Sequence, residues 1–280
     1  MKRLLSVLLI AVLAMSGCSS NTTTQPEATA AAEETSERQT LRVGMECNYA
    51  PFNWTTLEQG ETGQPISDVD YCDGYDVMIA TRLAEGMDMD VQIVKTDWDG
   101  LIPALNAGDI DAIVAGMTDT PERRESVNFT TPYYESDMVV VVNADSPLAN
   151  ITDIQEMSGY KVLGQQSTLY DDVIDQIEGV VHMTPQESYP RMVLSLQSGE
   201  ADAITAELPV AQGVVSANEG LVIVRFEAGH GFEADTSVSV AVAKENTELL
   251  NSIQAVLDTI DEQTRQDLML DANNRQPAQE

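Results

Sequence analysis

Residues 91–123 read VQIVKTDWDG LIPALNAGDI DAIVAGMTDT PER, and the reading of this stretch decides the fold class. Val91 to Lys95 is a short run rich in β-branched side chains, Trp98 to Gly108 is amphipathic, and Asp111 to Ala115 is a second apolar run. Thr120-Pro121 then marks a further helix start, with Pro at the first helical position, where a missing N–H leaves nothing unpaired. Strand, helix and strand in such close succession predict an α/β chain.

The alternation extends outward in both directions. Upstream lie Leu41 to Met45 and the amphipathic Tyr75 to Gly86. Downstream a second series repeats the pattern: Lys161 to Gly164, Leu169 to Glu178, Val180 to Met183, Gln186 to Gly199 and Ala201 to Ala206. Thr184-Pro185-Gln186-Glu187 reads as a capping box opening the fourth of these. Two series predict two similar lobes. The Val-rich segments Asp137 to Asn143 and Thr236 to Ala243 lack helical period and are expected to cross between them. The helical stretch Thr247 to Leu270 is expected to pack on the first lobe. We therefore divide the chain into residues 41–137 with 236–275 as lobe 1, 138–235 as lobe 2, and 276–280 as a disordered tail.

The N-terminus carries an address. Lys2 and Arg3 precede an apolar run from Leu4 to Met15, and Met15-Ser16-Gly17-Cys18 sets small residues before a cysteine. This predicts a lipoprotein signal peptide over residues 1–17, with Cys18 lipidated as the mature N-terminus. The run is shorter than the ~20 apolar residues a spanning helix needs. Residues 18–40 are mostly Thr, Ala, Gln and Glu, which cannot bury enough apolar surface to order themselves, so a flexible tether is expected. Removing Lys2 and Arg3 leaves 12 basic residues against 46 acidic, a formal charge of −34 that excludes nucleic acid as a partner. Cys47 and Cys72 remain as an even pair in an oxidising compartment, and a disulfide between them is expected. Closing a loop of that size stabilises by about 3 kcal/mol in the chain-entropy account.

In open α/β sheets ligands bind beyond the carboxyl ends of the strands, where helix N-termini also converge. Glu46 and Tyr49 follow the run ending at Met45, and Trp98 follows that ending at Lys95. Thr118 and Arg123 follow Ala115, Ser167 and Thr168 follow Gly164, and Glu207 follows Ala206. This set suits a zwitterionic amino acid. Arg123, Thr118 and Thr168 can take a carboxylate, Glu207 an ammonium, and Tyr49 with Trp98 can wall out water so that both contacts strengthen. Arg123 could instead pair with Glu122 or Glu125 on a solvated helix, and the aromatics could be core residues. No metal or cofactor is required. Asp68, Asp70 and Asp73 miss the calcium-loop spacing and read as a solvated acidic loop. His182 and His230 are isolated, and Met78, Met87 and Met89 read as packing residues.

Taken in order, Val43 to Phe52 (VGMECNYAPF), Gly74-Tyr75-Asp76-Val77, Asp97 to Leu105 (DWDGLIPAL), Gly116 to Arg123 (GMTDTPER), Phe129 and Pro132-Tyr133-Tyr134 resemble the polar amino-acid substrate-binding proteins of ABC importers. The similarity spans nearly the whole folded part. It implies a two-lobed type II periplasmic-binding fold that closes on its ligand, free L-amino acid as cargo, a monomer, and an ABC permease and ATPase as partners. The membrane would be met only through the lipid. By this resemblance Arg123, Thr118 and Gly116 surround the carboxylate, Tyr49 and Trp98 sandwich the side chain, and Glu46 reaches its distal end. Ser167 and Thr168 add donors, and Glu207 takes the ammonium. The second-lobe loop reads Ser167-Thr168-Leu169 where Gly-Thr-Thr is usual, and Glu207 stands where Asp is usual, so the donor and the pocket depth stay open. Glu46 beside two aromatic faces suggests a cationic ligand such as Arg, Lys or His, although it could also accept from the amide of Gln. The alternative is a dehydratase of the same fold acting on prephenate or arogenate, and a third reading is a sensor domain.

Overall fold

The structure is a computed structural model describing residues 38–277. The expected signal peptide, the expected lipidation at Cys18, the expected tether as far as Glu37 and the last three residues of the expected tail lie outside the described residues. Four residues assigned to the tether or tail are tied down instead: Arg38 pairs with Asp88, Gln39 O accepts from Asp90 N at 2.8 Å, Thr40 opens the first strand, and Gln276 N donates to Ala272 O at 3.0 Å at the end of the last helix.

The first half runs through β1 (Thr40–Met45), then β2 (Asn48–Tyr49), β3 (Asn53–Thr56), β4 (Gln64–Pro65) and β5 (Tyr71–Asp73), which form a small antiparallel sheet ordered β2-β3-β5-β4, then α1 (Tyr75–Gly86), β6 (Asp90–Lys95), α2 (Leu101–Ala107), β7 (Ala112–Ile113), α3 (Arg123–Ser126) and β8 (Val127–Tyr134). The second half holds β9 (Met138–Asn143), β10 (Lys161–Leu163), α4 (Leu169–Asp172), β11 (Val181–His182), α5 (Tyr189–Gln197), β12 (Ala203–Glu207), α6 (Leu208–Ala217) and β13 (Leu221–Val224). The chain then returns through β14 (Val238–Ala243) to α7 (Thr247–Leu257) and α8 (Glu262–Arg275).

Two five-stranded sheets result, ordered β6-β1-β7-β14-β8 and β11-β10-β12-β9-β13. They share one plan. In each, a central strand pairs in parallel with two neighbours, β1 with β6 and β7, β10 with β11 and β12. A strand delivered by a crossing, β14 or β9, then lies antiparallel beside the third and the last strand. The predicted α/β two-lobed type II fold with two crossing strands is therefore the fold observed. Being flanked on both sides explains the Val-rich composition: Val139 to Val142 in β9 and Val238, Val240 and Val242 in β14 are all buried. The links themselves are Glu135 to Asp137 and Arg225 to Ser237, joined where the Thr236 hydroxyl donates to Ser136 O.

Helix α7 packs on α1 and β8, as expected for lobe 1, whereas α8 touches both α1 and α6. Three helix starts differ from the sequence reading. Residues 184–187 form no helix, because Gln186 bonds Gly164 O and Gln166 through its backbone in a bridge; α5 begins after Ser188 instead. Leu169 to Glu178 forms one α turn followed by a 3-10 turn, and the helix after Thr120-Pro121 is a single turn from Arg123.

Cys47 and Cys72 are joined, with Cα atoms 5.7 Å apart, which ties the end of β1 to β5 within lobe 1. Asp70 accepts from the Ser67 hydroxyl in the acidic loop, whereas Asp73 is not solvated as expected: it ends β5, buried, because it pairs with Arg275 of α8.

Candidate functional site

The carboxyl ends of β1, β6 and β7 face those of β10 and β12, and a small cavity of about 20 Å³ lies between them. Glu46, Tyr49, Trp98, Gly116, Thr118, Arg123 and Thr168 line it, so seven of the nine predicted ligand residues come together. A wider opening of about 330 Å³ continues outward past Trp98, Arg123, Ser167 and Asp172.

On the lobe 1 side the chain turns sharply after each strand. Gly116 has φ +60°, and a Cβ there would sit 3.2 Å from the Tyr49 ring, so glycine suits both the turn and the close approach of the aromatic wall. Cys47 adopts φ +54° without being glycine, held by the disulfide and by its amide bond to Asn53 Oδ1 at 2.7 Å. Arg123 starts its single helical turn and folds back over the indole of Trp98, 5.1 Å from the ring centroid. Its Nη1 donates to Thr118 O at 2.7 Å. Burial pulls this guanidinium below its ordinary range, with Glu122 opposing. Glu46 is 5% exposed, and loss of water lifts its carboxyl to about 7.

On the lobe 2 side the loop after β10 bends through Ser167 at φ +59°. Thr168 uses its hydroxyl locally, donating to Gln165 O at 2.8 Å and capping Tyr170 N at 3.2 Å. Glu207 ends β12 fully buried. It accepts from Tyr49 OH at 2.6 Å and from Ser136 Oγ at 2.9 Å, and burial outweighs these bonds to raise its carboxyl to about 7.

The lobes meet directly at four further points. Ser167 O accepts from Arg123 Nη2 at 3.1 Å and from Trp98 Nε1 at 3.2 Å. Gln166 donates to Asp99 at 2.9 Å, and Gln165 Nε2 reaches Glu46 Oε2 at 3.5 Å. The arrangement concentrates a cation fork, a buried carboxylate and two aromatic faces around one opening. It can hold opposite charges at two ends of one small solute.

Ser167 and Glu207 do not line the small cavity: Ser167 is exposed at the outer opening, and Glu207 is buried and reaches the site through Tyr49. Three lining residues, Gln165, Leu169 and Tyr170, escaped the sequence reading. Gln165 could have been found by the same edge rule, since it lies two residues beyond β10. His182 is held between Asp171 and Asp175, and His230 beside Asp153, both away from the cavity.

The pattern of the family described as bacterial extracellular solute-binding proteins, family 3, matches residues 41–271. A protein named "Probable histidine-binding protein" of Campylobacter jejuni is 32% identical over 237 residues, covering 83% of this chain and 85% of that protein. The L-arginine-binding protein of Pseudomonas aeruginosa is 28% identical over 224 residues, covering 79% and 82%. Among solved structures, the substrate binding protein of an amino acid ABC transporter superposes with a TM-score of 0.71 at 30% identity, covering 85% of this chain and all of that one.

Proposed function

The chain belongs to family 3 of the bacterial extracellular solute-binding proteins, and from that membership we propose that it captures one polar amino acid, preferring a cationic side chain, for an ABC importer. Membership in a family of binding proteins also decides against the dehydratase alternative. The observation that carries the reading is the pairing of Arg123 with buried Glu46 in one cavity walled by Tyr49 and Trp98. A carboxylate on the guanidinium and a cation on Glu46 would each make charge-assisted bonds, which contribute roughly 1.5–3 kcal/mol apiece. Relatives named for binding histidine and arginine support the cationic preference.

In this reading residues 41–137 with 236–275 close against 138–235, and the segments 135–137 and 225–237 are the hinge. Gly116, Thr118 and Arg123 hold the carboxylate together with the 167–168 loop, while Glu207 serves the ammonium either directly or through Tyr49. Lipidated Cys18 anchors the receptor to the membrane surface. It works as a monomer that presents its closed form to the permease and ATPase.

A thermal-shift screen over the twenty amino acids tests this, because a ligand bound only by the folded form raises its melting temperature. Arginine, lysine or histidine should give the largest shift. A protein whose melting none of the twenty moves would not be an amino-acid receptor.

A further inference from the structure

We propose that Asp76 is a positioning residue for ligand capture, holding through Tyr133 and Asn53 the two backbone turns, at Gly116 and Cys47, on which the lobe 1 side of the site is built. The proposal rests on the amino-acid reading above and assigns the groups beneath the cavity that give it shape. Asp76 lies in the first turn of α1, fully buried, and does not line the cavity.

The connections are continuous. Asp76 Oδ1 accepts from Tyr133 OH at 2.7 Å, and that hydroxyl in turn accepts from Gly116 N at 2.9 Å. Asp76 Oδ2 accepts from Asn53 Nδ2 at 2.8 Å, and Asn53 Oδ1 accepts from Cys47 N at 2.7 Å. One carboxylate thus reaches two backbone amides through two side chains, and Tyr133 and Asn53 are as fully buried as Asp76. Both amides belong to residues at positive φ, a conformation Gly116 adopts freely but Cys47, not being glycine, holds least favourably without such support. Cys47 directly follows Glu46, and Gly116 stands two residues before Thr118, whose carbonyl holds Arg123. The two ends of the proposed ligand are therefore braced from one point.

Chemistry fixes the direction of every bond. A hydroxyl has one hydrogen, and Tyr133 gives it to Asp76, which leaves a lone pair facing Gly116 N–H. The Cys47 N–H, which can only donate, likewise takes the oxygen of Asn53, so the amino group of Asn53 faces Asp76. Burial raises the Asp76 carboxyl to about 7, while the bonds from Tyr133 and Asn53 oppose that rise. An asparagine at position 76 would bring one donor and one acceptor and could not accept from both neighbours. An ion pair would explain a buried carboxylate by its cation, but both of Asp76's hydrogen-bond partners are neutral side chains. What the carboxylate organises is the backbone of the site.

The test compares wild type with Tyr133→Phe, Asp76→Asn and the control Tyr75→Phe. Tyr75 is an equally buried tyrosine whose hydroxyl donates to Tyr133 O at 2.9 Å, outside the path to Gly116 and Cys47. Calorimetry with L-arginine, L-lysine, L-histidine and L-glutamine as probes is combined with amide hydrogen exchange at Cys47 and Gly116 without ligand. We expect Tyr133→Phe to weaken binding at least fivefold and to speed exchange at Gly116 selectively. Asp76→Asn should weaken binding further and speed exchange at both amides, whereas Tyr75→Phe should lower only the melting temperature. Unchanged affinity in folded Tyr133→Phe and Asp76→Asn, or an equal loss in Tyr75→Phe, overturns the positioning role. A Tyr133→Phe protein that does not fold leaves Asp76→Asn to decide by the same criteria. If wild type binds none of the four probes and none of the other sixteen amino acids, the amino-acid reading fails first and takes this proposal with it.

Discussion

The two faces of the cavity are built to different standards. On the lobe 1 face, Asp76, Asn53, Tyr133, Cys47 and Gly116 complete one another's hydrogen bonds without help from lobe 2. Buried oxygens without a partner among the described residues occur in both lobes, Asn48 Oδ1 and Ser239 Oγ in lobe 1 and the Tyr189 hydroxyl in lobe 2, so what sets the lobe 2 face apart is Glu207. Glu207 finds its bonds outside its own sheet, at Tyr49 across the cleft and Ser136 on a link. A satisfied buried network is rigid, whereas one completed only across an interface couples its energy to that interface. The difference teaches that lobe 1 carries a preformed template and lobe 2 is finished by contact with it.

That contrast can be broken experimentally. Arg123→Ala should have the largest effect, lowering amino-acid affinity at least a hundredfold with the melting curve nearly unchanged, since two charge-assisted bonds at roughly 1.5–3 kcal/mol each would be lost. Calorimetry checks it, and near wild-type affinity would remove the template's central group. Reducing the Cys47–Cys72 bond should cost about 3 kcal/mol of stability. Hydrogen exchange should then quicken around β1 and β5 and leave the β9–β13 sheet unaltered; uniform acceleration would mean the lobes are not separable in this way.

The sharpest comparison is between tyrosines. Tyr133→Phe strands a buried amide and should destabilise by about 1–3 kcal/mol, whereas Tyr189→Phe removes an unpartnered hydroxyl and should change stability by under about 0.5 kcal/mol. Urea melts of the two variants decide it, and equal losses would erase the distinction between the faces. The smallest effect concerns pH. Glu207 holds its proton up to about 7 in the folded protein, while in the unfolded chain it loses it near the usual ~4.3. Between those values the unfolded state binds fewer protons, so stability falls as pH rises from about 4 to 7. Glu207→Gln should flatten that part of the profile, measured as the urea midpoint at stepped pH, and an unaltered slope would assign it to other groups.

Much of this architecture was legible because strands buried on both sides and amphipathic helices leave distinct periods in the sequence. The edge rule brought Glu46, Tyr49, Trp98, Thr118, Arg123 and Thr168 to one cavity without knowledge of contacts. Other features were not legible for physical reasons. Thr184 to Glu187 satisfies a local capping pattern, but pairing with Gly164 and Gln166 keeps it out of a helix. Tyr170 opens a helix, and nothing in its neighbours says that it points into a cleft. Asp76 stood in a quoted motif, yet its partners at 53 and 133 become neighbours only in three dimensions.

The placement of β14 has a consequence in time. Strand β14 lies between β7 and β8, so the sheet that begins at residue 40 lacks an interior strand until residue 243 has been made. All five strands of the other sheet fall within 138–224 and can pair as soon as that span is available. A growing chain would thus complete its second lobe first, with β7 and β8 waiting open-edged for a partner about 100 to 130 residues downstream. Contacts of such sequence separation form slowly, so for this molecule the order of synthesis and the order of assembly run in opposite directions.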